Sequence, residues 1–218
     1  IDPLKDQSYV LFNLRPHQVQ HLLLPVGGYS KVEIRDIARE AGLPVADKPD
    51  SQDICFIPMN DYRAFISERS LPIPGDIVDV EGNILGSHQG IEYFTVGQRR
   101  GLGINAEKPM FVLSLNRERN QVVVGPADGL LQSTLWTSAV NYLSGTPPEY
   151  PIEVEAKIRY KSSQSNAMLT PHGEWAQLRF YEPQRAITPG QAVVFYRDDE
   201  VLGGGIIEGI LSGSDVRM

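Results

Sequence analysis

At 218 residues and 24.2 kDa the chain is long for one compact domain and short for three, which points to two modules plus a remnant. Its 41% apolar and 22% charged residues exclude wholesale disorder, and no apolar run approaches the ~20 residues that cross a bilayer, so no membrane partner is expected. The net charge of -7 is spread evenly: residues 1–69 carry 8 Lys/Arg against 10 Asp/Glu, residues 70–130 carry 5 against 7, and residues 131–218 carry 7 against 10. The charge argues mildly against a generic nucleic-acid coat acting by bulk attraction, and any RNA contact must come from local basic spots. One cysteine excludes an internal disulfide framework and a cysteine zinc cluster, and makes a reducing cytoplasm the expected compartment. The first residues, IDPLKDQSYV, show no secretion signal and no initiator Met, which suggests a piece of a longer protein.

The first third reads as helical. Asp6–Leu14 fits a short helix broken at Arg15–Pro16, and His17–Leu24 a second one ended by Pro25 and Gly27–Gly28. Residues 31–41 form the clearest helix: Ser30 and Glu33 make a capping box, Val32, Ile34, Ile37, Ala38 and Ala41 share a face, and Gly42 and Pro44 stop it. Residues 45–59 read as a loop entering a short buried segment, and Asn60 caps a helix to about Ser70 with Tyr62, Phe65 and Ile66 as its apolar face. Strands follow at Asp76–Val80, Phe111–Asn116 and Val122–Gly125, with a turn at Glu81–Gly82–Asn83. Ile152–Tyr160 alternates without a fault, as a half-buried strand does, and Trp175–Tyr181, Ala192–Tyr196 and Val201–Ile207 extend the set. Strands at this spacing with no helices between them indicate a small closed barrel or a sandwich. The fold class is multidomain α+β.

Three features carry possible chemistry. Cys55, flanked by Ile54, Phe56 and Ile57, reads either as a buried small apolar residue or as a working thiol served by the polar approach Asp47–Asp53. A thiolate needs cations, and in sequence only Lys48 stands near against three aspartates. Gly97-Gln98-Arg99-Arg100-Gly101-Leu102-Gly103 lacks the dinucleotide spacing; its two guanidinium groups suit phosphates or bases, or simply a solvated hairpin. Lys157, Arg159 and Lys161 would share one strand face beside Tyr160, as an RNA-contacting row or as protection against edge-to-edge aggregation. Gly203–Gly205 marks a bulge or a close backbone approach. Neither a metal-ligand spacing nor a phosphate loop for ATP occurs.

Taken in order, Lys5-Asp6-Gln7-Ser8-Tyr9, Lys48-Pro49-Asp50-Ser51-Gln52-Asp53-Ile54-Cys55-Phe56-Ile57, Gly86-x-His88-x-Gly90 and Thr95-Val96-Gly97-Gln98-Arg99-Arg100-Gly101-Leu102-Gly103-Ile104 resemble tRNA-specific 2-thiouridylases. Lys157-x-Arg159-Tyr160, Thr188-Pro189-Gly190-Gln191 and Gly203-Gly204-Gly205-Ile206-Ile207 continue the resemblance through the tail. It covers nearly the whole chain, but the family's front part, an ATP-pyrophosphatase domain with a Ser-Gly-Gly-x-Asp-Ser loop and a first catalytic cysteine, has no counterpart here. The resemblance thus implies a rear part: residues 1–58 as the last helices of the nucleotide-binding α/β domain with the cysteine loop, 59–128 as a small mixed central domain, 129–210 as a C-terminal antiparallel barrel similar to those of elongation factors, and 211–218 as a tail.

The resemblance further implies ATP-dependent 2-thiolation of the tRNA wobble uridine. Cys55 would be the catalytic persulfide carrier, loaded by a sulfur-donor protein (a cysteine desulfurase or a relay protein), and would close a disulfide with the missing cysteine after transfer. ATP with Mg would bind the missing domain, no cofactor is expected in this chain, and the chain alone would not thiolate tRNA. The family's tRNA contacts fall on Lys5, Asp6, Gln7, Arg159, Tyr160 and Gln191. Arg99 and Arg100 are added as possible RNA contacts on their chemistry, and an acidic body implies few phosphate contacts and a shallow salt dependence. The competing expectations are a non-catalytic RNA-binding barrel with a buried structural cysteine, and a small thiol redox protein using Cys55.

Overall fold

A computed structural model describes residues 1–50, 57, 62–69 and 71–209, so Cys55 and the expected tail at 211–218 lie outside the described residues. Among the described residues, three short α-helices, α1 (Pro16–Val19), α2 (Lys31–Glu40) and α3 (Tyr62–Ser67), precede ten strands. Strands β1 (Gly75–Val78), β2 (Ile84–His88), β3 (Phe111–Asn116) and β4 (Gln121–Gly125) form a mixed sheet in the order β2-β1-β4-β3, with β1 and β4 parallel. Strands β5 (Leu131–Tyr142), β6 (Ile152–Lys157), β7 (Ser165–His172), β8 (Trp175–Arg185), β9 (Ala192–Arg197) and β10 (Glu200–Gly209) close into an antiparallel barrel, β10-β5-β8-β7-β6-β9. The multidomain α+β class is as expected, and the choice between barrel and sandwich falls to the barrel.

Sheet curvature comes from register shifts. Bulges between Gln132 and Thr134, between Val201 and Gly203, and on either side of Ile206–Ile207 bend the three longest strands enough for closure. The interior is filled by alternate residues, Val154, Ala156 and Ile158 leading into Ala167 and Leu169, then Ala176, Leu178, Phe180, Val193, Phe195 and Ile207. In the mixed sheet, Ile77, Val112, Val122 and Val124 pack with Ile91, Phe94 and Leu102 from the connecting segments. His88 of the Gly86-x-His88-x-Gly90 run is buried there, edge-on to Phe94 and 3.2 Å by Nε2 from the Asn120 carbonyl.

Strand β9 is apolar on both faces. Val193 and Phe195 point into the barrel; Val194 and Tyr196 point outward, yet are buried because Tyr9 and Phe12 cover them. Tyr9 and Phe12 belong to a 3₁₀ helix, Ser8–Asn13, which is the form taken by the short helix expected over Asp6–Leu14. The tighter helix ends where Asn141 Nδ2 donates to the carbonyls of Phe12 (2.6 Å) and Leu14 (2.8 Å), satisfying acceptors that a continuing helix would have used. Phe12, 4% exposed, contributes about 1.5–3 kcal/mol by leaving water.

The glycine run explains this docking. At Gly204 an added methyl would lie 2.8 Å from the Phe12 ring and 2.5 Å from the Val193 carbonyl oxygen, so only glycine lets the 3₁₀ helix lie against the barrel wall. Bulge and close approach, the two readings of Gly203–Gly205, are both realised.

Other expectations need correction. The helix over His17–Leu24 shrinks to α1, because turns at 20–21 and 25–28 take over the remaining backbone. In α2 the capping box forms in both directions, Ser30 N to Glu33 Oε2 at 2.7 Å and Glu33 N to Ser30 Oγ at 3.3 Å. Its apolar face is not buried among the described residues: Val32 is 69% exposed. The helix expected from Asn60 is described as α3, and its start falls outside the described residues. β2, β5 and β7 are not among the strands expected from the sequence; β2 holds Gly86 among its five residues, β5 carries a left-handed Ala139, and β7 ends in Pro171–His172, all of which spoil a simple alternation.

Replacing Gly204 with alanine is expected to lower stability by about 1–3 kcal/mol, the usual penalty for overpacking, measured as a fall in the chemical-denaturation midpoint. An unchanged midpoint would show that the Phe12 contact is not tight.

Candidate nucleic-acid interface and the base of the cysteine segment

Residues separated by about 150 positions meet at one rim of the barrel. Gln7 Nε2 donates to the Tyr160 hydroxyl at 2.5 Å, and that hydroxyl lies 3.3 Å from the Asp6 carbonyl, to which it donates. The Tyr160 ring stands edge-on to Tyr9 with centroids 6.0 Å apart, and the Tyr9 hydroxyl donates to the Ala192 carbonyl at 2.7 Å. Burial pushes the Tyr9 hydroxyl up to about 12, so it stays a neutral donor. Gln191, exposed, ends the Thr188–Gln191 turn and immediately precedes Ala192, the first residue of β9. Asp6, Gln7, Tyr160 and Gln191 therefore share one surface, and Arg159 adjoins it.

The row of three cations does not exist as a row. β6 ends at Lys157, and residues 158–164 turn toward β7, with Ser162 N–H and Oγ–H both donating to the Arg159 carbonyl. The alternation misleads because Ile158 remains buried after the strand has ended. Lys157 and Arg159 also differ in use. Lys157 is held between Asp6 (3.7 Å) and the face of Tyr196 (5.2 Å), so it is structural. Arg159 donates to the Arg185 carbonyl at 3.0 Å and has no carboxylate partner among the described residues. Burial opposes ionisation of Asp6, but hydrogen bonds from Ser8 and the charge of Lys157 hold its carboxyl below the ordinary range.

Lys5, the remaining member of the N-terminal trio, points elsewhere. Its ammonium pairs with Asp50 at 2.6 Å, and Lys31 (3.1 Å) and Arg35 (3.9 Å) approach the same carboxylate. Arg35 also donates to the Lys48 carbonyl at 3.3 Å, and Arg39 holds Asp47 at 2.8 Å. Lys31, Arg35 and Arg39, four residues apart, form a basic stripe on α2 that clamps residues 47–50 just before the Cys55 segment. Sequence reading missed these cations; the four-residue spacing opposite Asp47 and Asp50 was the available signal. Hydrogen bonds from Lys5 and Lys31 hold the Asp50 carboxyl at about 2.

Arg99 and Arg100 sit on an exposed turn of fixed shape. Gly97 N–H donates to the Val112 carbonyl (2.8 Å), Val112 N–H donates to the Gln98 carbonyl (2.9 Å), and the Gln98 side chain bridges Thr95 N–H and the Arg100 carbonyl at 3.0 Å each. Gly97 is left-handed (φ 89°), and a methyl there would lie 3.1 Å from the Ala186 methyl, so glycine is needed for both conformation and room. A cleft of about 360 Å³ between α3 and the sheet shares no residue with this surface. No group of three or more metal-ligating side chains occurs among the described residues.

Comparison with known proteins matches three family models in succession. They are a tRNA methyl transferase HUP domain at residues 1–59, a tRNA methyl transferase PRC-barrel domain at 63–126 and an aminomethyltransferase beta-barrel domain at 132–207. The tRNA-specific 2-thiouridylase of Heliobacterium modesticaldum is 50% identical over 212 residues, covering 95% of this chain and 55% of that protein. Those of Clostridium botulinum (strain Okra) and Caldanaerobacter subterraneus are 49% and 48% identical, each over 95% of this chain and covering 59% and 58% of those proteins. The chain spans little more than half the length of the curated relatives it matches. Fold and matches together define a modular protein with a HUP-type front, a small mixed domain and a closed barrel. The chain belongs to the tRNA-specific 2-thiouridylase family.

Because the folded Asp50 lies below its ordinary value of 3.8, its clamp stabilises the fold fully above about pH 4 and is lost as pH falls through about 2. Carboxyl titration by NMR is expected to place the Asp50 midpoint near 2, and Lys5→Ala is expected to raise it. A midpoint at the ordinary value would show that the clamp does not form.

Proposed function

We propose that the chain is the tRNA-recognition and sulfur-relay part of a tRNA 2-thiouridylase, acting with ATP on the wobble uridine. The observation that carries this reading is the Gln7–Tyr160 hydrogen bond, which unites two of the family's tRNA-contact segments across the fold. Lys5, Asp6, Gln7, Arg159, Tyr160 and Gln191 would then line the tRNA. Tyr160, 40% exposed and anchored at its hydroxyl, offers a ring edge to a base, and Arg159 offers a guanidinium with no carboxylate partner among the described residues.

Cys55 is the sulfur carrier in this reading. A donor protein, a cysteine desulfurase or a relay protein, loads a sulfane sulfur onto its thiolate. The uridine C2 oxygen would be adenylated, its bond to the α-phosphate of ATP forming as pyrophosphate leaves; the persulfide anion would then attack C2 and AMP would leave. A second cysteine then attacks the Cys55 sulfur, a disulfide forms, and the S–S bond to the transferred sulfur breaks with its electrons left on the uridine as thiocarbonyl. A thiol reductant reopens the disulfide. A persulfide is more acidic than a thiol, so it stays ionised at neutral pH with less need of neighbouring cations.

The proposed division is 1–58, 59–128 and 129–210 with a tail at 211–218. The first part closes a larger α/β domain that holds ATP and Mg; support comes from its uncovered apolar side chains, Leu4 at 88%, Leu23 at 86% and Val32 at 69% exposure. A cytoplasmic setting suits a reactive thiol.

With one cysteine in the chain, the location of captured sulfur is unambiguous. Incubation with a cysteine desulfurase and radiolabelled cysteine is expected to leave thiol-releasable label on the wild-type chain and none on Cys55→Ser. Absence of label from the wild type would instead favour an RNA-binding barrel with a structural cysteine.

A further inference from the structure

Three basic spots that are distant in sequence converge on one loop, residues 185–191. Its first residue, Arg185, accepts the Arg159 guanidinium on its carbonyl (3.0 Å) and lays its own guanidinium over the Phe111 ring, 4.9 Å from the centroid. Ala186 is left-handed (φ 55°), hydrogen-bonds Leu130 through its N–H at 2.9 Å, and packs its methyl against Gly97. The last residue of the loop is Gln191. Phe111, under Arg185, precedes Val112, whose backbone fixes Gly97 and Gln98 and so places Arg99 and Arg100. Arg99 continues into a cleft of about 230 Å³ that it lines with Gly101, Gly103, Lys108 and Met110.

Arg99, Arg100, Arg159 and Arg185 are exposed, and none has a carboxylate within 4 Å among the described residues. Lys5, Lys31, Arg35, Arg39 and Lys157, by contrast, all hold carboxylates. The Arg159 guanidinium, held by a backbone bond, and that of Arg185, held by its ring stack, are preorganised for oxygens that come from a partner, while Arg99 and Arg100 extend from a turn whose backbone is fixed.

We propose that the RNA surface does not stop at the barrel rim but runs from Arg159 across Arg185 to Arg99 and Arg100, so that one RNA backbone spans the barrel and the mixed sheet. Arg185 is a phosphate contact in this arrangement, and its stack on Phe111 makes it the bridge between the two modules. The proposal rests on the tRNA-binding reading above and extends it to a surface and a residue that the resemblance does not supply.

The test measures tRNA affinity of the protein against salt for wild type, Arg185→Gln, Arg185→Lys, the pair Arg99→Gln/Arg100→Gln, and Arg159→Gln as reference. Each arginine that held a phosphate is expected to reduce the slope of log affinity against log salt by about 0.7–0.9 on removal. Affinity at low salt is expected to fall several-fold for Arg185→Gln and for the double variant, while Arg185→Lys keeps the wild-type slope. A change in slope at an unaltered thermal midpoint excludes misfolding as the cause. If only Arg159→Gln changes the slope, the surface ends at the barrel and the proposal is overturned while the tRNA reading stands. If the wild type does not bind tRNA, both fall. If the variants lose a sulfur-donor protein but keep tRNA with an unchanged slope, the ridge is a protein interface and the proposal is wrong.

Discussion

The ring of Phe12 lying on the bare backbone of Gly204 is the contact on which the rest of the structure depends. A barrel wall presenting Val194 and Tyr196 outward would be an exposed apolar surface; the 3₁₀ helix Ser8–Asn13 turns it into an interior. Asn141 fixes the end of that helix, and Tyr9 fixes its middle through the Ala192 carbonyl. Because Asp6 and Gln7 immediately precede the helix, their meeting with Tyr160 follows from the docking. The rim surface is a consequence of packing as much as of polar attraction.

Charge is distributed by the same logic. Most cations near the N-terminus are occupied, gathered on Asp50 and Asp47 where they hold the chain just ahead of Cys55, and Lys157 is occupied by Asp6. The arginines at the barrel rim and on the Gly97–Gly103 turn stay free of carboxylates among the described residues; Arg159 is held instead by a backbone carbonyl and Arg185 by an aromatic ring. An acidic protein can in this way keep an anion-binding surface without a basic domain, since a few preorganised guanidinium groups act locally while the remainder of the surface is screened.

Much of this was legible in the sequence, for particular reasons. The capping box at Ser30 and Glu33 is a local interaction, so local pattern found it. The alternation at Ile152–Ile158 reported burial faithfully but not hydrogen bonding, and so extended β6 past its end. Two-sided apolarity in Val193-Val194-Phe195-Tyr196 held the signal that something covers the barrel from outside, but the identity of the cover is a long-range fact that no window contains. Motif order across the chain carried the family, whereas the meeting of Gln7 with Tyr160, the Asp50 clamp and the bridge at Arg185 needed the fold.

The most direct test of this account is amide hydrogen exchange in the 3₁₀ helix, at Val10 and Leu14, compared with strand β9. If the helix is part of the barrel wall, those amides exchange slowly and lose protection together with β9 as denaturant is added. Rapid exchange there, with β9 still protected, would mean that the N-terminal segment is only loosely attached and that the rim surface is not a fixed feature of the protein.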